Sequence, residues 1–146
     1  MSESFSSPFA RYLADMCRAG HSASPSQHVE LGGFCVQPAD LMHLRAFGPA
    51  LKAKTAGITD SHVLRRRLGM LIQYLEETPT GTPTDAQREI AFALGYFLKG
   101  ADLIPDHVPG IGLLDDAILV EAAFRRNELE LRTHWATRRR EWPAAV

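Results

Sequence analysis

Four carboxylates fall within fifteen positions of this chain, at Asp102, Asp106, Asp115 and Asp116, with His107 among them and no Lys or Arg in the interval. Like charges held close together either raise one another's pKa or recruit a cation. An oxygen-rich set with one imidazole beside it suits Mg²⁺, Mn²⁺ or Ca²⁺ better than zinc. The intervening residues offer a second account. Pro105 and Pro109 fix φ and push the residues before them out of helical geometry, while Gly110 and Gly112 allow backbone conformations closed to other residues. Asp102 and Asp106 then act as turn and cap residues. Asp115 and Asp116 fall in the first turns of a following helix, where the macrodipole favours negative charge by roughly 0.3–1 kcal/mol each. Capping accounts for each Asp separately, and a bound cation accounts for their proximity.

Two further constellations carry ligand-type side chains. Cys17, His21, His28 and Cys35 are the residue types that hold zinc, and Cys17 and His21 share a helix face. Their spacing lacks the close Cys pairs of common structural sites, and the alternative is one Cys on an apolar helix face with two loop histidines. Near the C-terminus, Trp135 and Trp142 flank Arg138, Arg139 and Arg140. Such a surface can stack on bases, sit at a membrane interface or grip an acidic partner. The same residues also read as cations completing a helix C-terminus with Trp135 in the core. Arg65–Arg67 forms a second basic run, read as a solvated face, and becomes a phosphate-binding candidate if it adjoins Arg138–Arg140. No phosphate loop, dinucleotide fingerprint or nucleophile elbow occurs, and nothing in the sequence joins a Ser, His and Asp into a triad.

The elements that must position these residues read as helices. Pro8 opens the first, with Phe9, Tyr12, Leu13, Met16 and Cys17 at helical spacing and Gly20 as its end. His21–Gln37, rich in Ser and Gly, reads as a long connection with a short extended piece at Phe34–Val36. Pro38 opens a second helix that Gly48–Pro49 breaks or kinks, with a short continuation to Thr55. Thr59 or Asp60 caps a third, whose face is Leu64, Leu68, Leu71, Ile72 and Leu75. Thr84 and Gln87 form a capping box for a fourth, which Gly100 ends. A last long helix runs from near Gly112 towards Arg140, weakest at Asn127 and Glu128. The fold class is therefore all-α: a compact bundle of about five helices with a Pro/Gly/Asp-rich hairpin between the last two.

The hairpin, Asp102-Leu-Ile-Pro-Asp106-His-Val-Pro109-Gly-Ile-Gly112-Leu-Leu-Asp115-Asp116, meets every fixed position of the pattern D-L-I-P-D-x-[IV]-P-x-x-G-x-x-D-D. In this it resembles the YkvA-like family of bacterial helical domains of uncharacterised function. The preceding Phe92, Tyr96 and Phe97 and the following Ala117, Ile118 and Val120 fit as well. The resemblance covers residues 64–124 and leaves 1–58 outside it. It implies a helical fold, and for some relatives a membrane association, without a catalytic mechanism to carry over.

Composition bounds what remains. A hydrophobic fraction of 45% and a charged fraction of 23% fit one globular domain spanning 1–146. A net charge of −1 gives no global argument for nucleic acid. That total conceals six Arg between 125 and 142 against Glu128, Glu130 and Glu141. Two cysteines make no disulfide framework, Met1–Pro8 does not read as a secretory signal, and no apolar run is long enough to span a bilayer. The resulting expectation is a cytoplasmic, non-enzymatic interaction domain that binds a protein partner and needs no cofactor. The first alternative is a divalent-metal protein, in its sharpest form a metal-dependent hydrolase, at Asp102, Asp106, Asp115, Asp116 and His107. The second is a peripheral membrane protein.

Overall fold

The computed structural model describes residues 5–19, 24–79, 81–103 and 112–146, with side chains at 16–19, 99–103 and 112–115 outside the description. The described residues form eight α-helices and no strand: α1 (Ser7–Ala19), α2 (Pro25–Phe34), α3 (Pro38–Ala46), α4 (Gly48–Ala56), α5 (His62–Glu77), α6 (Asp85–Leu103), α7 (Gly112–Arg126) and α8 (Glu128–Thr137). The all-α expectation is met. The expectation of about five helices is corrected to eight among the described residues, and each difference has a local cause.

The expected long connection contains α2. Ser24 caps it, its hydroxyl accepting from the Gln27 amide while the Gln27 side chain accepts from the Ser24 amide, and Pro25 occupies the first turn. Phe34 is the last residue of this helix rather than part of an extended piece. Gly32 and Gly33, which lower helix propensity in the sequence, are buried here, and a Cβ on Gly32 would lie 2.3 Å from the Phe92 ring. The glycines let α2 approach α6, so packing overrides propensity.

The second helix divides at Phe47 into α3 and α4, with Pro49 in the first turn of α4. Ser61, rather than Thr59 or Asp60, caps α5, accepting from the Leu64 amide at 3.2 Å. The Thr84–Gln87 capping box of α6 is present. α6 passes through Gly100, the expected stop, to Leu103. The last long helix breaks at Asn127, whose side chain donates to Ala123 O at 2.9 Å and to Glu89 Oε1 at 3.1 Å. The Pro/Gly/Asp-rich hairpin lies at 104–111, outside the described residues.

α6 is the axis of the fold. From Ile90 to Leu94, and again at Tyr96 and Phe97, its side chains are at most 1% exposed, as expected of a helix apolar on all sides. It packs against α1, α2, α3, α4, α5 and α7. α5 lies beside it, packed on α4, α6 and α7 through Leu64, Leu68, Leu71, Ile72 and Leu75, with one remaining face turned outward. Burying each such aliphatic side chain is worth roughly 1.5–3 kcal/mol. Among the described residues no helix is long and apolar enough to cross a membrane.

Candidate functional site: the α4–α5 groove

α4 and α5 run antiparallel, the start of α4 lying beside the end of α5. Lys52 on α4 pairs with Glu76 on α5 at 2.8 Å, while Arg65 near the start of α5 donates to Ile58 O, just past α4, at 3.2 Å. Between them runs an open groove of about 560 Å³. Lys52, Thr55 and Ala56 form its α4 wall, and Arg65, Gly69, Ile72 and Gln73 form its α5 wall. Gly69 is exposed in mid-helix, and a Cβ there would meet nothing within 4 Å. A glycine in a helix interior costs roughly 1 kcal/mol against alanine. Nothing among the described residues packs against it.

Glu77 closes one end of the groove. Arg140 holds it with two hydrogen bonds, Nη1 to Oε1 at 2.9 Å and Nη2 to Oε2 at 2.5 Å. His134 Nε2 lies 2.9 Å from Glu77 Oε1, and Gln73 Nε2 donates to Oε2 at 3.2 Å. Arg140 above all, then His134 and Gln73, hold the Glu77 carboxyl down to about 2, against the opposing effect of desolvation. Arg138 adds a contact from its Nη2 to Glu77 O at 3.2 Å. The chain reaches this arrangement because Arg139 adopts φ 57, a left-handed turn directly after α8.

The tail therefore closes on the fold. Trp135 is buried, Trp142 is half-buried with its ring centroid 5.7 Å from that of Phe124, and Arg132 lies 4.5 Å over Trp142. Of the expected basic and aromatic set, Arg138 and Arg140 engage Glu77, while Arg139 is exposed. Arg65–Arg67 lies ten or more residues before Glu77 on α5, roughly 15 Å away along the axis, so the two basic runs do not adjoin.

Of the expected acidic site, Asp116 is described: it is buried and engaged with a neighbour in the first turns of α7. Asp102, Asp106, His107 and Asp115 lie outside the described side chains, as do Cys17 and His21 of the expected zinc set. His28 Nδ1 lies 2.9 Å from the Tyr12 hydroxyl, and Cys35 Sγ donates to Leu31 O at 3.6 Å, its thiol pushed up by burial. Among the described residues no three His, Cys, Asp or Glu side chains gather to hold a metal ion. Sequence reading passed over Gly69, Lys52, Gln73 and Glu76. The available signal was a glycine inside an otherwise regular helical pattern.

The geometry defines a helical domain with an open inter-helix groove. A family model described as "Protein of unknown function (DUF1232)" matches residues 89–122, which cover most of α6 and the first part of α7. The match likens this segment to a helical family of uncharacterised function. No curated protein and no solved structure matches the chain.

Proposed function

We propose that the protein is a non-enzymatic interaction domain that receives a helical protein partner on the α4–α5 face, and that its Asp102–Asp116 segment is of the YkvA-like kind. The observation that carries the reading is the uncovered Gly69 on the groove wall. A mid-helix glycine with free space above it leaves room for close approach by a second backbone, at a cost that packing among the described residues does not explain. The groove supplies apolar contact at Ile72 and Ala56 and a rim of both charge signs at Arg65, Lys52 and Glu76. Mixed rims of this kind set partner orientation and specificity.

The competing reading is a divalent-metal protein at Asp102, Asp106, Asp115 and Asp116. Elemental analysis of the purified chain, with thermal melts in EDTA and in added Mn²⁺, separates the two. Binding at a hundredfold excess over Kd stabilises the folded state by about 2.7 kcal/mol. For a chain of this size that raises Tm by several degrees. The interaction reading expects no stoichiometric metal and superimposable melts. Stoichiometric metal, or a melt that shifts with EDTA or Mn²⁺, overturns it.

A further inference from the structure

We infer that the partner on this face is a second copy of the chain, with two α5 helices crossing antiparallel at Gly69; this rests on reading the α4–α5 face as an interaction surface. The outward face of α5 carries His62, Arg66, Gly69, Gln73 and Glu76, exposed except for the half-buried Gln73. Steps of four, three, four and three residues keep them in one line down the helix. The line is roughly 21 Å long at 1.5 Å per residue. Gly69 stands at its midpoint.

A two-fold axis through Gly69 places a residue seven before it opposite the residue seven after it, so His62 faces Glu76 of the other copy. Arg66, three before, comes level with the third residue after, one short of Gln73 and four residues, roughly 6 Å along the axis, from Glu76. The stripe is thus complementary to itself when reversed, the condition for an isologous interface. The open space over Gly69 lets the two backbones meet where they cross.

The charge order on α5 gives an independent reason. The first turn holds no acid and the last turn holds no base, while Arg65, Arg66 and Arg67 lie in the first half and Glu76 and Glu77 end the helix. This order opposes the helix's own macrodipole. An antiparallel copy reverses the sign of the effect, because the exposed Arg66 of each copy then lies towards the negative end of the other helix and its exposed Glu76. A uniformly acidic or basic partner would meet like charge along half the stripe. A second copy brings Arg66 of each chain towards Glu76 of the other on both sides of the crossing. Ala53 and Ala56, exposed on α4, leave the flanks low enough for that helix to settle.

A single seam of this length is small beside stable interfaces, which bury about 1,200–2,000 Å², so the dimer is expected to be weak and weakened further by salt. Sedimentation velocity on the full chain, across a wide concentration range at low and high salt, reads it directly. Arg66→Glu and Glu76→Lys each place like charge across the seam and are expected to weaken self-association at least about tenfold. Their equimolar mixture restores the opposite pairing and is expected to form a heterodimer that neither variant forms as a homodimer. Gly69→Trp blocks the crossing, and thermal melts of all three check that each is folded. A wild-type chain that stays monomeric at every concentration and at low salt overturns the inference. So does a dimer that all three variants leave intact, or a mixture that stays monomeric while the wild type dimerises. A monomer that binds no metal refutes self-association alone, whereas a metal-bearing chain refutes the interaction reading beneath it.

Discussion

Three helix-interior glycines should respond to alanine with opposite signs, because their surroundings differ. At Gly69 a Cβ meets nothing within 4 Å, so the substitution gains helix propensity without a clash and should stabilise the fold by about 0.5–1 kcal/mol. At Gly32 the Cβ would fall 2.3 Å from the ring of Phe92, and at Gly95 it would fall 2.4 Å from the ring of Phe9. Both rings are 0% exposed, so moving aside means displacing the core around them. Overpacking of this kind costs typically 1–3 kcal/mol. Contacts of 2.3 and 2.4 Å belong at the upper end of that range, about 2–3 kcal/mol, so that after the roughly 1 kcal/mol of propensity gained Gly32→Ala and Gly95→Ala should each destabilise by about 1–2 kcal/mol. Urea denaturation followed by far-UV circular dichroism, at low protein concentration and high salt to keep the chain monomeric, measures all three. With m near 2 kcal/mol/M, the Gly69→Ala midpoint should rise by roughly 0.3–0.5 M and the other two should fall by roughly 0.5–1 M. A destabilised Gly69→Ala would show that the space above Gly69 is filled within the chain. Neutral Gly32 and Gly95 variants would refute the close approach of α2 and α1 to α6.

Acid should weaken the fold partly through Glu77. Its folded pKa is depressed to about 2 from an ordinary 4.5, so its contribution is complete above pH 4.5 and is lost as the pH falls from there towards 2. Unscreened, the shift corresponds to about 3 kcal/mol, and for a carboxylate at the rim a reduced share of about 1 kcal/mol is expected. Glu77→Gln should therefore destabilise the chain at neutral pH and flatten its stability profile in that window. Equal acid slopes for wild type and variant would refute the assignment. Asp40 is 0% exposed and accepts from Ser6 N, Ser6 Oγ and Gln37 N, each at 2.7 Å, which ties the start of α1 to α3. Asp40→Ala should cost about 3 kcal/mol or more, since it leaves these donors without their acceptor. A loss below about 1 kcal/mol would show that other groups hold α1 in place.

What could be read from the sequence was set by local signals. The Thr84–Gln87 box, the Gly48–Pro49 break and the apolar run of α6 each act within one or two turns, and each is present in the fold. The equivalent box at Ser24 and Gln27 was there to be read, but Gly32 and Gly33 diluted the helical pattern around it. Their role depends on Phe92, against Gly32, and Glu89, against Gly33, more than fifty residues away, which no local pattern can reveal. The break at Asn127 was visible as a weak point. That it becomes a full interruption depends on Glu89 of α6, which accepts from both Asn127 and Arg126. The groove was the least legible feature. Which side of α5 stays uncovered is decided by where α4, α6 and α7 pack, and Arg65–Arg67 in isolation reads only as a solvated face.

The C-terminal tail shows how strongly the surface of α5 depends on the rest of the chain. In sequence, Glu76 and Glu77 are equivalent acids at the end of a helix. In the fold, Arg139 turns the chain left-handed after α8 and returns Arg140 to Glu77, while Glu76, on the outward side, pairs with the exposed Lys52. A bidentate arginine neutralises Glu77 in place, leaving Glu76 as the acid that an approaching surface meets. Arg140 is thereby drawn out of the solvent-facing cluster of the sequence, while Arg138, still exposed, donates to Glu77 O. The tail thus sharpens the polarity of the exposed α5 stripe, with a base at Arg66 and a single acid at Glu76. A polarised stripe around a central glycine selects a partner by direction as well as by charge.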